Sequence, residues 1–233
     1  MNIVITGASS GVGFEMAKRF AVNSGNRIFV VARSQKRLEE LSGLSPHRNI
    51  VPVRLDLSDL KFDALLTAIQ NHKVDNIDIL VNNAGILINK PLTDLVADDW
   101  REVYNTNVFA PALLTSALMQ VLGKGVNPSH VVMIGSMGGV YGTAKFPGLS
   151  AYSSSKGALG ILGEVMAEEL RERNIRVNTI ALGSVQTEML EKAFPGYLAN
   201  AEPGEVAAFI CRFSEEGWRL FNGKTLEMST GTP

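Results

Sequence analysis

The sequence predicts an α/β fold: a doubly wound parallel sheet of about seven strands with helices on both faces. Three observations carry this expectation. Short apolar runs rich in branched residues recur along the chain, amphipathic stretches separate them, and no internal repeat or low-complexity linker interrupts the alternation. The runs are IVI (3–5), IFVV (28–31), IVPV (50–53), IDILV (77–81), HVVMI (130–134), RVNTI (176–180) and TLEM (225–228). Their near-continuous apolar character is that of strands buried on both faces. Between them, Phe14, Ala17, Phe20 and Ala21 form one helical stripe, and Leu60, Ala64, Leu65 and Ile69 form another. Strands spaced by helices imply right-handed crossovers and a covered parallel sheet. One domain spanning 1–233 is expected, with a substrate site built from its C-terminal half.

Composition narrows the classes of function. The 233 residues are 45% hydrophobic and 19% charged, with a formal net charge of −1, so nucleic acid and anionic membrane are not expected partners. No apolar run approaches the roughly 18 residues of a membrane span, and the cytoplasm is the expected compartment. The single cysteine, Cys211, sits in the helical apolar context VAAFICRF and is expected to be a buried structural thiol. His47, His72 and His130 lie in or beside polar, loop-like stretches at no metal-ligand spacing, so no metal site is expected.

A doubly wound sheet binds ligands beyond the carboxyl ends of its strands. At the end of the first strand the chain reads TGASSGVG, with Gly7, Gly11 and Gly13 leading into the first helical stripe. Glycines allow a tight turn and close approach of N–H groups to a phosphate, and the helix N-terminus adds partial positive charge. The turn therefore suits a dinucleotide pyrophosphate, with Ser9, Ser10 and Val12 beside the glycines. The second strand ends in VVARS, and Arg33 in place of an acidic residue favours the 2′-phosphate of NADP(H) over the free ribose of NAD(H). The third ends in RLDLSD, which puts Asp56 and Leu57 at the adenine side and Asp59 in position to cap a helix.

Residues 152–156 read YSSSK. Positions i and i+4 share a helix face, so Tyr152 and Lys156 can act on one spot. A phenol with a pKa of about 10 needs a shift of roughly 3 units, about 4 kcal/mol, to exchange protons readily at neutral pH. An ammonium about 4 Å away at an effective dielectric of about 20 offers that much.

Together with NNAG at 82–85, Asn107 within YNTNV and Ser136 at the end of the fifth strand, these motifs occur in an order and separation that resembles the short-chain dehydrogenase/reductase family over essentially the whole chain. The resemblance implies a Rossmann-type fold and an NAD(P)-dependent oxidoreductase. It implies catalysis by Asn107, Ser136, Tyr152 and Lys156, with Tyr152 giving a proton to a carbonyl oxygen as hydride arrives from the nicotinamide. Ser136 would steady that oxygen, Lys156 would also hold the nicotinamide ribose, and Asn107 would hold a water linking Lys156 to solvent. Asn82, Asn83, Ala84 and Gly85 would support the adenosine side, and Gly183, Val185 and Thr187 would bracket the nicotinamide amide.

Several residues depart from the family pattern. Ser10 stands where many NADP(H)-using members carry a basic residue, leaving Arg33 alone to favour NADP(H), and Leu182 stands where proline usually precedes the glycine. The loop from Ser136 to Tyr152 is longer, and the lid region from Thr187 to Pro203 shorter, than the family leads one to expect. Met137, Tyr141, Phe146, Met189, Phe194 and Tyr197 either line an apolar substrate pocket or pack their own loops.

The expected activity is that of a carbonyl reductase or alcohol dehydrogenase acting on a small molecule. The alternatives are a 3-oxoacyl-thioester reductase, docking an acyl carrier protein through Arg171, Arg173 or Lys124, and a non-catalytic nucleotide sensor. Helical segments 99–122 and 152–173 are apolar on more than one face, which predicts a homodimer or homotetramer.

Overall fold

In a computed structural model, residues 1–229 are described; residues 230–233 of the expected domain lie outside the described residues. All seven expected strands are present: β1 (Asn2–Thr6), β2 (Arg27–Ala32), β3 (Ile50–Arg54), β4 (Ile79–Asn82), β5 (Ser129–Ser136), β6 (Ile175–Leu182) and β7 (Thr225–Met228). They form one parallel sheet in the order β3-β2-β1-β4-β5-β6-β7. Chain direction across the sheet reverses between β1 and β4, whose C-terminal ends, Thr6 and Asn82, mark the switch point where such sheets bind ligands.

Alternate strand residues feed two apolar layers. Ile3, Ile5, Ile28 and Val30 pack with α1 (Gly11–Ala21), α2 (Gln35–Gly43) and α8 (Pro203–Glu216), while Val4, Phe29, Val31 and Leu80 pack with α3 (Asp63–Asn71), α5 (Ala110–Ala117) and α6 (Ser150–Glu169). Both faces of the sheet are therefore dry, as the unbroken branched runs require. Among the described residues no helix is long and apolar enough to cross a membrane.

Local expectations are corrected in several places. His130 lies in no polar loop: it is fully buried in β5, where one ring nitrogen meets Ser214 O at 3.0 Å and the other the Asn178 amide at 3.0 Å. The apolar VVMI that follows draws it into the strand. Asp56, rather than Asp59, is the cap, accepting from Ser58 N at 3.0 Å and Ser58 Oγ at 2.7 Å. The α3 stripe is Phe62, Leu65 and Ile69; Ala64 is exposed, and Leu60 precedes the helix in a left-handed conformation. Segment 99–122 is not one helix. α4 (Ala97–Tyr104) passes into a π-helical turn, Asn105–Phe109, before α5 begins. Segment 152–173 likewise divides into α6 and a 3₁₀ turn at Arg171–Arg173. Cys211 is buried in α8 with its thiol pushed up to about 12 by burial, unsuited to nucleophilic chemistry.

Candidate active site

At the switch point, one hydroxyl holds two strand ends together. Thr6 Oγ1 accepts from Asn83 N and Ala84 N, both at 3.0 Å, and Asn83 Nδ2 donates to Thr6 O at 2.8 Å. Asn83, Ala84 and Gly85 line the adjoining cleft. Asn82 does not; it is buried in β4 against Met133 Sδ. Gly7 adopts φ +68°, and a Cβ there would lie 2.7 Å from Ala84 Cα, so both the turn and the strand contact require glycine. Thr6 is a site-building residue that motif reasoning missed, since its side chain bonds backbone 77 and 78 residues away.

From this turn a cleft of about 820 Å³ runs along the strand ends. At one end it is lined by Gly7, Ser9, Ser10, Gly11, Val12 and Arg33, with Asp56 and Leu57 beside them; Gly13 packs behind, where a Cβ would meet Gly7 O at 2.5 Å. Ser10 precedes α1 without capping it through its side chain, so the first-turn N–H groups are not satisfied by that hydroxyl. Asp56 uses Oδ1 for the Ser58 contacts, and Oδ2 has no hydrogen bond among the described residues. Gly183, Val185 and Thr187 line the far wall, where Leu182 simply extends β6 in pairing with Met228. Sequence reasoning also missed Ser34, Arg37, Ile86 and Glu188 on the lining.

Ser136, Tyr152 and Lys156 meet on the same cleft. Ser136 ends β5 and accepts from Gly138 N at 3.2 Å, which leaves its own proton for the hydrogen bond with the Tyr152 hydroxyl. The following turn crosses α6 closely: a Cβ on Gly139 would lie 2.5 Å from the Lys156 carbonyl carbon. Lys156 Nζ donates to Ile134 O at 2.8 Å and lies 5.9 Å from the centroid of the Tyr152 ring.

The expected acid shift of the phenol is not what this geometry gives. Burial raises the Tyr152 pKa against the lowering effect of Ser136, and burial lowers that of Lys156 to about 8. The lysine is turned to a carbonyl rather than aimed at the phenolic oxygen, so desolvation dominates. At neutral pH the pair is a neutral phenol beside an ammonium, set to give a proton.

Asn107, fully buried in the π-helical turn, has both amide protons engaged, with Ile86 O and Ser155 Oγ at 3.0 Å each, and accepts from Ile86 N at 2.9 Å. Its direct work is to fix the loop after β4. Its Oδ1 and Lys156 Nζ flank Gly85, where a Cβ would lie 3.3 Å from each.

On the substrate side, Met137, Phe146, Met189, Phe194 and Tyr197 line the cleft, whereas Tyr141 is fully exposed and off it. The long loop before α6 is tied to itself, Thr143 Oγ1 reaching Met137 O at 2.6 Å and Lys145 Nζ reaching Val140 O at 2.7 Å. Arg171, Arg173 and Lys124 lie before the N-terminal ends of β6 and β5. An eight-residue strand, about 25 Å, separates them from the cleft. Among the described residues no group of three or more His, Cys, Asp or Glu is placed to hold a metal.

Comparison with known proteins fits this geometry. The short chain dehydrogenase profile matches residues 1–197. The mouse protein "Dehydrogenase/reductase SDR family member 7B" is 35% identical over 193 residues, 80% of this chain and 58% of the relative, so the match spans less than two thirds of that protein. Among solved structures, L-sorbose reductase from Gluconobacter frateurii, complexed with NADPH and L-sorbose, is 26% identical with a TM-score of 0.87, covering 99% of this chain and 95% of that one. The 3-ketoacyl-(acyl-carrier-protein) reductase from Brucella melitensis, complexed with NADH, is 25% identical with a TM-score of 0.86, covering 99% and 97%. The chain belongs to the short-chain dehydrogenase family.

Proposed function

We propose that the protein is an NADP(H)-dependent carbonyl reductase acting on small apolar ketones or aldehydes, with one domain carrying both cofactor and substrate sites. The observation that carries this is the Ser136–Tyr152–Lys156 group, its lysine buried, on a cleft that also holds the glycine turn. A nicotinamide dinucleotide, when bound, supplies the hydride. The residues present fit it: uncapped N–H groups of α1 for the pyrophosphate, Asp56 Oδ2 for the adenine, Arg33 for a 2′-phosphate, and Gly183, Val185 and Thr187 for the amide end. Relatives with NADH and with NADPH both exist, so Arg33 is the feature of this chain that favours the phosphate.

Tyr152 donates its phenolic proton to the substrate oxygen, and Ser136 turns its O–H from the phenol to that oxygen. Lys156, anchored on Ile134 O, stabilises the phenolate left behind. Asn107 is a positioning residue: it locks Ile86 and presents Oδ1 on the Gly85 side of Lys156, where a water can return the proton. The substrate side is lined mainly by Met137, Phe146, Met189, Phe194 and Tyr197, with Lys192 beside them, which favours a small apolar substrate over a carrier-bound thioester. A pure nucleotide sensor has no use for a lysine buried at such expense beside a tyrosine. Phe109, Leu113, Ile161 and Val165 leave an exposed apolar face on the π-helical turn, α5 and α6, which supports association with a second copy. The cytoplasm remains the proposed compartment.

Titration with NADPH and NADH, followed by nicotinamide fluorescence, tests the cofactor assignment; a screen of apolar carbonyls with the tighter cofactor tests the activity. Tighter NADPH binding and turnover of apolar ketones are expected. Binding without turnover of any carbonyl would return the protein to the sensor class.

A further inference from the structure

Two arginines share the adenosine end of the cleft, but their surroundings differ. Arg33 follows β2, and Ser34 caps α2 by accepting from Arg37 N at 3.4 Å, so one short turn delivers both side chains to the lining. Arg33 makes no ion pair among the described residues. Arg37 Nη1 lies 3.1 and 3.0 Å from the two carboxylate oxygens of Glu188, which is 151 residues away in sequence.

Glu188 opens α7 (Glu188–Ala193), the short helix over the cleft. The preceding Thr187 packs on the phosphate turn: a Cβ on Gly11 would meet its methyl at 3.3 Å. At the other end of α7, Asn89 Nδ2 donates to Ala193 O at 2.8 Å. The helix is thus fastened across the cleft at two points, by an ion pair at the adenosine end and a hydrogen bond at the substrate end.

We propose that Arg37 reads the 2′-phosphate of the cofactor together with Arg33, and that Glu188 competes with that phosphate for Arg37, so that the phosphorylated cofactor unfastens the first turn of α7. This rests on the NADP(H) preference proposed above. Both partners of the ion pair are about half exposed, at 45% and 53%, and such pairs are weak. A 2′-phosphate carries more charge and offers three oxygens to the planar guanidinium. Glu188 also cancels one of the two local positive charges, so it lowers phosphate affinity while leaving the non-phosphorylated dinucleotide unaffected. Glu188 is therefore a specificity-setting residue: it holds the phosphate preference below what two arginines alone would give.

Calorimetric titration of the full chain with 2′,5′-ADP and with ADP separates these effects, because the two probes differ in where a phosphate sits and neither carries a nicotinamide. Glu188→Gln is expected to tighten 2′,5′-ADP about fivefold, the scale of one exposed ion pair, and to leave ADP within about twofold. Arg37→Met should weaken 2′,5′-ADP and abolish the gain from Glu188→Gln in the double variant. Amide exchange in α7 should quicken when 2′,5′-ADP is added to the wild type and should already be fast in Glu188→Gln. Unchanged or weaker 2′,5′-ADP binding by Glu188→Gln overturns the competition. The cofactor assignment fails separately, if the wild type does not prefer 2′,5′-ADP and Arg33→Met changes nothing. In that event, a preference created by Glu188→Gln upholds the competition, and its absence removes both.

Discussion

At the dinucleotide end of the cleft, a single nearly buried hydroxyl on Thr6 accepts two backbone N–H groups, and the Asn83 amide answers with donations to Thr6 O and Gly7 O. At the substrate end, the corresponding wall is the self-tied loop before α6 together with the segment after α7, and their cleft-lining side chains Phe146 and Tyr197 are 45% and 50% exposed. One end is fixed through the sheet; the other rests on surface segments that can exchange side chains without disturbing the core. A cofactor is the same for every turnover and suits a rigid cradle, whereas substrate choice resides in elements that tolerate change. The Ser136–Tyr152–Lys156 group stands where the two ends meet, held by β5 on one side and α6 on the other.

Substitutions can break this contrast, and the largest effect is expected at the meeting point. Lys156→Met removes the ammonium that lies 5.9 Å from the Tyr152 ring centroid, about 3 kcal/mol of proposed phenolate stabilisation at an effective dielectric of about 20, and should slow carbonyl reduction about a hundredfold in steady-state assays. In the wild type, reduction should fall as pH rises through about 8, where Lys156 loses its proton.

The sheet floor, away from the cleft, supplies a control. Burial holds His130 at about 4, against 6.5 in an unfolded chain, so the unfolded state binds more protons between those values. Stability should be full above about pH 6.5 and decline as pH falls towards 4, by up to about 3 kcal/mol, in denaturant titrations. A His130→Gln variant should flatten that slope.

Thr6→Val takes the acceptor from Ala84 N and leaves Asn83 N with Val81 O alone at the rigid end, and should lower stability by about 1–2 kcal/mol, a loss of a few degrees in Tm. Phe146→Ala at the adaptable end should leave Tm unchanged and raise KM for an apolar ketone about fivefold with little change in kcat. Equal thermal losses from these two variants would erase the distinction between the ends.

The same contrast governs how much was legible in the sequence. Branched runs mark every strand, because a parallel sheet buried on both faces leaves few alternatives. The glycine turn and the Ser136, Tyr152 and Lys156 positions are equally visible, since each depends on local spacing. Features set by distant partners are not. Nothing in NTNVF marks a π-helical turn, and no local pattern links Arg37 to Glu188. The direction of the Tyr152 shift is also invisible, because it depends on where Lys156 Nζ points and how dry the site is.

The most direct test of the mechanism is Tyr152→Phe, assayed in parallel for NADPH binding and for carbonyl reduction. In the proposed mechanism the phenolic oxygen is the proton donor, so the variant should bind NADPH as the wild type does and lose about 10²–10⁴-fold in reduction rate. Reduction at the wild-type rate, with binding intact, would contradict the assignment of Tyr152 as the acid.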